Sequence, residues 1–340
     1  MRLVHLLPEP TISRQDCTML QNLADTLAGH NIAQYNTLVV TKDGRADPQR
    51  WREVRRRGSV RIYNERLSAL SHCPATPQLL LLGTIEGKLE DIMYGAVATT
   101  DEAMKIESAC TKDSVRDSKV LFEIVRPSFD DPFRTVAVKW RLYEGRDYVS
   151  LDATGIAGVR GRERIGYSIS HSVALSEIPN FEDTHRIERG NMSVCALYRQ
   201  KTPTTVECYV RGFFDFKTKN ECSRTCRSKP SPPSGRPTHG RKTVVALAPD
   251  QHTVLERKRS FCVSCMAAVE SCDVMSIARE ELVGHQEEES DDDDAYWARL
   301  SSMTVNSSCY SSIVSRQSSL ASLDSFSRRS LMGRGGSDLA

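Results

Sequence analysis

Five successive strand-like segments between residues 133 and 216 limit what this chain can fold into more than any other feature. Each mixes β-branched and aromatic residues and carries polar residues at many alternate positions, a pattern typical of half-buried strands. The segments are predicted at Phe133–Tyr143, Arg146–Ala157, Glu163–Leu175, Met192–Gln200 and Val206–Phe216. Together they predict a long antiparallel sheet.

The third segment shows the alternation most clearly. One row of side chains is mainly apolar, and the other is small and neutral: Gly166, Ser168, Ser170 and Ser172. A solvated row would more often carry Lys and Glu, so this pattern suits a sheet that curves around a space. Strand alternation then predicts a pocket lined by Val136, Val138, Trp140, Ile165, Tyr167, Ile169 and His171. A one-residue slip would exchange the faces, so the opposite row, with Ser170 as a polar contact, stays open.

The segments before this block add helices and further strands. A helix is predicted from Ser13 to Val40, with Ser13 as its N-cap, and another from Lys88 to Ala109, with a break or second cap at residues 99–102. Strands are predicted between these helices, including Leu79–Gly87, and at Val115–Arg126. The predicted fold class is therefore α+β with a curved antiparallel sheet, an N-terminal helix and a helix after the second strand.

The composition changes after residue 216. Residues 217–259 contain eleven Lys or Arg against three acids and are rich in Ser and Pro, which is typical of a linker. A Cys-x-x-Cys pair follows, then an acidic run and a tail in which fourteen of the last forty residues are Ser. The predicted organisation is an extension at 1–12, a folded domain at 13–216, a basic linker at 217–260, a reduced Cys-containing segment at 261–284 and a disordered tail at 285–340.

Several phrases carry a family resemblance: MYGAVATTDEAMK, DDPFRTVAVKW, ERIGYSISHSV, RGNMSVCALYRQ and YVRGFFDF. With the element order, they resemble the START-like lipid-transfer proteins expanded in oomycetes. The resemblance implies a helix-grip fold, in which an antiparallel sheet and a C-terminal helix enclose an apolar tunnel for one lipid. Two features depart from the family: no closing helix is predicted directly after the last strand, and the FYVE-type finger of many relatives is reduced to Cys262 and Cys265.

Metal binding and catalysis have little support in the sequence. Zinc needs about four ligands; Cys262 and Cys265 supply two, and either Cys272 with His285 or Cys222 with Cys226 would complete the set. The alternative is a degenerate finger with free thiols. No Gly-rich phosphate loop, Gly-x-Ser-x-Gly elbow or His-Glu-x-x-His motif is present. His171 would serve as a ligand contact, a base or a hydrogen-bonded core histidine. Because no catalytic motif is present, no enzyme is predicted.

The resulting hypothesis is a cytoplasmic protein, peripheral to membranes, that binds and transfers one lipid or sterol-like molecule without making or breaking a bond. Its basic linker would attract anionic membrane surfaces, whereas the absence of interleaved aromatic residues there argues against nucleic acid. Kinases acting on the Ser-rich tail are further expected partners. The alternative is a scaffold protein whose START-like pocket is no longer functional. The eleven Cys and the absence of a secretory segment favour reduced thiols.

Overall fold

The computed structural model of the chain describes residues 2–9, 11–41, 44–66, 78–158, 163–215, 240–247, 254–261, 267 and 271–287. Within these residues, helices pack on one large antiparallel sheet that is accompanied by a separate hairpin. The predicted fold class, α+β with a curved antiparallel sheet, is confirmed. No helix in this part of the chain is long and apolar enough to span a membrane.

Twelve strands lie in the described residues. They are β1 (Trp51–Arg57), β2 (Val60–Glu65), β3 (Leu79–Glu86), β4 (Asp117–Val125), β5 (Thr135–Tyr143), β6 (Arg146–Ala157), β7 (Ile165–Ser172), β8 (Glu188–Arg189), β9 (Asn191–Thr202), β10 (Thr205–Asp215), β11 (Gly240–Leu247) and β12 (Val254–Phe261). The large sheet has the order β1-β2-β3-β10-β9-β7-β6-β5-β4, and β8 pairs in parallel with β6. The five segments predicted from the sequence are β5, β6, β7, β9 and β10, with ends shifted by at most a few residues.

Two of the described helices begin at a side-chain N-cap. They are α1 (Arg14–Asn36), α2 (Leu89–Ala96), α3 (Asp101–Thr111), α4 (Glu182–His185) and α5 (Val274–Glu287), with a 3-10 turn at Leu3–Leu6. The predicted cap at Ser13 is confirmed, since the Asp16 N–H donates to its hydroxyl at 3.1 Å. Thr100 caps α3 in the same way through the Ala103 N–H. The predicted break at residues 99–102 therefore separates α2 from α3.

Alternation gives the large sheet two faces with different coverings. One face, here called the α1 face, packs under α1 through the buried side chains of Leu20, Ala24 and Ala28. The other, here called the α2 face, meets α2 and α5 in a second apolar cluster. α2 comes close to β7 because residue 166 is glycine: a Cβ there would lie 2.5 Å from the Met93 sulfur. Because both faces carry helices, apolar side chains that alternate along the same strand are buried on both sides of the sheet.

The structure differs from the sequence prediction in the first strands. The arginines at 55–57 lie in an additional strand, β1, and the turn to β2 is Gly58–Ser59. Gly58 has φ +57°, which a glycine adopts without strain, so the chain reverses in two residues. Because β1 is an additional strand, α2 follows the third strand and not the second.

The C-terminal region also differs from its prediction. Residues 240–247 and 254–261, assigned to a linker, pair as the β11–β12 hairpin, and Val245 and Val254 pack against α3. Within the segment predicted at 261–284, α5 begins at Val274, and its residues Val274, Ile277 and Ala278 join the apolar cluster around α2. Residues 216–239 and the tail from residue 288 lie outside the described residues.

The connection before β9 is held to the sheet by a buried carboxylate. Asp147 is fully buried and accepts hydrogen bonds at 2.8 Å from Trp140 Nε1 and from both Nε and Nη2 of Arg189. Arg189 Nη2 also donates to the Pro179 carbonyl at 2.9 Å. Phe181 meets the Trp140 ring edge-on at 6.3 Å. Asp147 thereby joins β5, β6 and the 179–189 segment.

Replacing Arg189 should therefore destabilise the fold strongly. Arg189→Met leaves a buried, uncompensated charge on Asp147, so we expect the free energy of unfolding to fall by about 3–5 kcal/mol in urea denaturation. Arg164→Met is the matched control, because it breaks an ion pair with Glu90 whose arginine side chain is 53% exposed. That loss should be about 1 kcal/mol or less. Equal losses in the two variants would contradict the role assigned to Asp147.

Candidate functional site

The predicted pocket residues form one row, and it lies on the α1 face. Val136, Val138 and Trp140 of β5 are at most 1% exposed, and Ile165, Tyr167 and Ile169 of β7 are at most 7% exposed. All six pack in the same cluster as the inner side of α1. The structure brings these residues together as core, beneath a helix. Their role in ligand binding stays a prediction.

The polar atoms of this row have partners within the protein. Arg134 Nη1 donates to Tyr167 Oη at 2.9 Å, and Arg134 Nη2 donates to Asp25 of α1 at 2.7 Å. Burial raises the pKa of Tyr167. His171 lies at the end of the row, with Nδ1 2.9 Å from Ser193 Oγ, and burial lowers its pKa. A hydrogen-bonded, neutral histidine at neutral pH is the state that this site favours.

The α2 face is incompletely covered at its centre. Strands β7, β9 and β10 lie inside the sheet, yet some of their α2-face side chains keep part of their surface accessible. These side chains are Ser168, Ser170, Val194, Ala196 and Val210. On the α1 face the neighbouring side chains are at most 3% exposed: Ile169, Cys195, Leu197 and Tyr209. These partly accessible side chains form one region of the α2 face, beside the end of β7 that α2 covers at Gly166. Below, this region is called the hollow.

A buried cluster of charged side chains, Lys139, Arg141 and Asp152, lies at one side of the hollow. Arg141 of β5 donates through Nη2 to Asp152 Oδ2 at 2.6 Å, and the Lys139 ammonium lies 3.5 Å from the same oxygen. The hydroxyls of Ser150 and Ser170 each donate to Asp152 Oδ1 at 2.8 Å. Both carboxylate oxygens of Asp152 are thus fully engaged. Ser170 links the cluster directly to the hollow.

The charges in this cluster determine its protonation state. Burial alone would raise the pKa of Asp152, but the charges of Arg141 and Lys139 outweigh it and lower this pKa to about 2. The carboxyl group of Glu107 on α3 belongs to the same electrostatic environment. Burial raises its pKa, although Arg141 and Lys139 act in the opposite direction. Asp152 is therefore ionised at neutral pH, and the proton affinity of Glu107 is increased by its position.

The sequence contained a signal for this cluster. Lys139 and Arg141 alternate with Val138, Trp140 and Leu142, so β5 carries one charged and one apolar row. Asp152 interrupts an otherwise neutral segment of β6 in a similar way. Opposite charges on adjacent strands are a recognisable cross-strand pair once the register is known. The register pairs Ala137 with Asp152, which puts Lys139 and Arg141 on the same face as the carboxylate.

The predicted metal ligands are only partly visible. Cys262, Cys265, Cys222 and Cys226 lie outside the described residues. Cys272 is described and packs against the apolar cluster of α2 and α5. Among the described residues, no group of three or more His, Cys, Asp or Glu side chains could hold a metal ion. Zinc binding at Cys262 and Cys265 stays a prediction.

Comparison with known proteins gives structural similarity only. No protein-family model matches the chain, and no curated protein does. Human StAR-related lipid transfer protein 5 has a TM-score of 0.38 and 15% identity, over 60% of this chain and 86% of that one. Human STARD10 has 0.35 and 13%, over 62% and 70%, and the human StarD13 (DLC2) lipid transfer and protein localization domain has 0.36 and 9%, over 62% and 87%. Similarity at this level does not assign a function to the chain.

The position of Glu107 predicts a specific pH dependence. Because its pKa is raised on folding, the native state binds this proton more tightly than the unfolded state does. The resulting stabilisation is complete below about pH 4.3, the usual Glu pKa, and is lost as the pH rises through the raised value. We expect Glu107→Gln to abolish this loss, measured as the free energy of unfolding in urea at a series of pH values.

A second carboxylate on α3 provides the control. The Glu102 side chain is 41% exposed and lies 3.8 Å from Lys105. Glu102→Gln removes the same charge from the same helix and should leave the slope of stability against pH close to that of the wild type. If wild type and Glu107→Gln gave parallel curves, the assigned environment of Glu107 would be wrong.

Proposed function

We propose that this protein binds one lipid or sterol-like molecule in the hollow of the α2 face and does not alter it chemically. The observation that carries this proposal is the accessibility of Ser168, Ser170 and Val194 on strands in the middle of the sheet. A central strand normally buries its side chains under another layer. An apolar molecule bound over these accessible side chains, beside α2, would complete the packing.

The apolar part of the ligand would contact β9 and β10. Val194, Ala196 and Val210 form adjacent positions on these strands, since Ala196 pairs with Val210 and Val194 with Gly212. Ala196 and Val210 also border the apolar cluster of α2 and α5. Burial of ligand surface against them would contribute roughly 25 cal/mol per Å². This row, and not the α1-face row predicted from the sequence, is the proposed apolar lining.

The polar part of the ligand would lie near β7 and the ion cluster. The Ser168 and Ser170 hydroxyls border the hollow. Asp152, which is bound by Arg141, is the direct cross-strand partner of Ser170. Asp152 is fully hydrogen-bonded and its pKa is about 2, far below the value near 7 that suits a general base. The cluster is therefore suited to orient a hydroxyl or carboxyl group and poorly suited to remove a proton. Binding without catalysis is the consistent interpretation.

Two further parts of the proposal concern segments that are wholly or partly outside the described residues. The basic segment at 217–259 would attract an anionic membrane surface and bring the hollow close to its lipid. The Ser-rich tail would be a substrate for kinases that prefer basic sites. Both support exchange at a membrane surface, and both stay predictions.

Val194→Trp tests the hollow directly. Val194 is partly exposed and pairs with Gly212, so the indole would occupy the space that the ligand needs. We expect native mass spectrometry of protein purified from eukaryotic cells to show a lipid adduct on the wild type. Occupancy by that lipid should be at least about tenfold lower in Val194→Trp, a loss of about 1.4 kcal/mol or more.

Val39→Trp is the matched control, because it introduces the same side chain at a position that is 67% exposed and outside the sheet. It should retain the adduct. Circular dichroism and urea denaturation of both variants establish that each is folded. A wild type that carries no lipid and binds neither a fluorescent sterol nor a fluorescent phosphatidylcholine would refute the proposal, as would equal occupancy in Val194→Trp.

A further inference from the structure

A cavity separate from the hollow lies at one edge of the sheet, beside the start of β4. It has a volume of about 370 Å³ and is lined mainly by basic and small polar side chains. Five separate segments contribute to it: the N-terminal segment, α3, the loop that joins α3 to β4, the start of β4, and β12. The lining residues that matter most here are Arg2, Lys105, Lys112, Arg116, Asp117 and Val254.

The charges around this cavity are unbalanced. Its lining has four cationic side chains and one acidic side chain, Asp117. Asp117 is engaged by Arg2 at 3.0 Å. Arg116 pairs with Glu144 at 3.0 Å and Lys105 lies 3.8 Å from Glu102, but the carboxylates of both pairs are exposed and lie outside the lining, so the two pairs contribute little. The lining therefore keeps a net positive charge that a bound anion would neutralise.

The loop from α3 to β4 is held in an unusual backbone conformation. Lys112 and Ser114 both have positive φ, 55° and 70°, although neither is glycine. The Asp113 carboxylate fixes the loop by accepting hydrogen bonds from Ser108 Oγ at 2.6 Å and from the Val115 N–H at 3.0 Å. Non-glycine residues in this region carry a conformational cost and are often found at binding sites. Here they place Lys112 and Ser114 in the lining of the same cavity.

The size and chemistry of the cavity indicate its ligand class. A volume of 370 Å³ falls in the range of about 300–1,000 Å³ that small-molecule sites occupy. Lysine ammonium and arginine guanidinium groups with serine hydroxyls are the donors that recognise phosphate oxygens. We propose that this cavity binds a phosphate monoester on a small polar carrier, either as a free metabolite or as a lipid headgroup. The proposal does not depend on the hollow or on its lipid.

The cavity also explains a role for the hairpin. Val254 of β12 lines it, and Val254 with Val245 of β11 packs on Cys110 of α3. The hairpin thus completes one wall of the site. The β11–β12 hairpin, whose composition is typical of a linker, therefore forms part of the proposed site.

Two titrations distinguish the possible sources of the phosphate. Calorimetry with glycerol 3-phosphate measures binding of the free ester to the full chain. Co-sedimentation with phosphatidylcholine vesicles, with and without phosphatidic acid, measures binding of the same group on a lipid. Binding of the free ester supports a soluble ligand, and binding only to phosphatidic acid vesicles supports a headgroup. Absence of binding in both titrations overturns the proposal.

The double variant Lys112→Gln with Arg116→Gln identifies the site. Both residues are exposed, so the fold should be retained. Affinity for whichever probe binds should fall at least about tenfold, because two charge-assisted hydrogen bonds are lost. The double variant Arg52→Gln with Arg57→Gln removes two positive charges from exposed positions of β1 and should stay within about twofold of wild type. An equal loss of affinity in both double variants would indicate non-specific electrostatic attraction and would contradict the proposed site.

Discussion

The buried carboxylate of Asp152 is the constraint on which the arrangement of the sheet depends. A charge in the interior is tolerated only when opposite charges and hydrogen bonds replace the water that it loses. Here Arg141 and Lys139 supply the charge, and Ser150 and Ser170 supply hydroxyl donors. These groups come from β5, β6 and β7, so one carboxylate connects three neighbouring strands.

This requirement divides the sheet by chemistry. If Asp152 and its partners occupy one face, strand alternation puts Val138, Trp140 and Leu151 on the other. That other face is continuous and apolar, and α1 covers it. The face with the ion cluster packs against α2 and α5, but Ser168, Ser170 and Val194 on this face stay partly accessible. Its accessible centre, between a charged side and an apolar side, is what gives the molecule a candidate site for an amphipathic ligand.

Most strand positions followed from local pattern, and the assignment of faces did not. The segment Arg146–Ala157 was predicted with the same ends that β6 has, and Ser13 was predicted as the N-cap of α1. Alternation also separated Tyr167 from Ser168 correctly. It could not state which row faces a helix, because α1 is far from β7 in sequence and its packing is a tertiary contact. The ion cluster beside the hollow was missed for a related reason: Lys139, Arg141 and Asp152 become a cluster only when β5 and β6 pair.

The sequence by itself determined most strands of the large sheet, the cap at Ser13 and the two-row character of the strands, since these depend on residues a few positions apart. It also contained the charges that a buried cluster requires. Only the tertiary structure decided which row lies under α1 and which borders the hollow. It also brought Arg2, Lys112 and Val254 around one cavity. Such decisions depend on contacts between distant segments, whose free energies are absent from any local pattern.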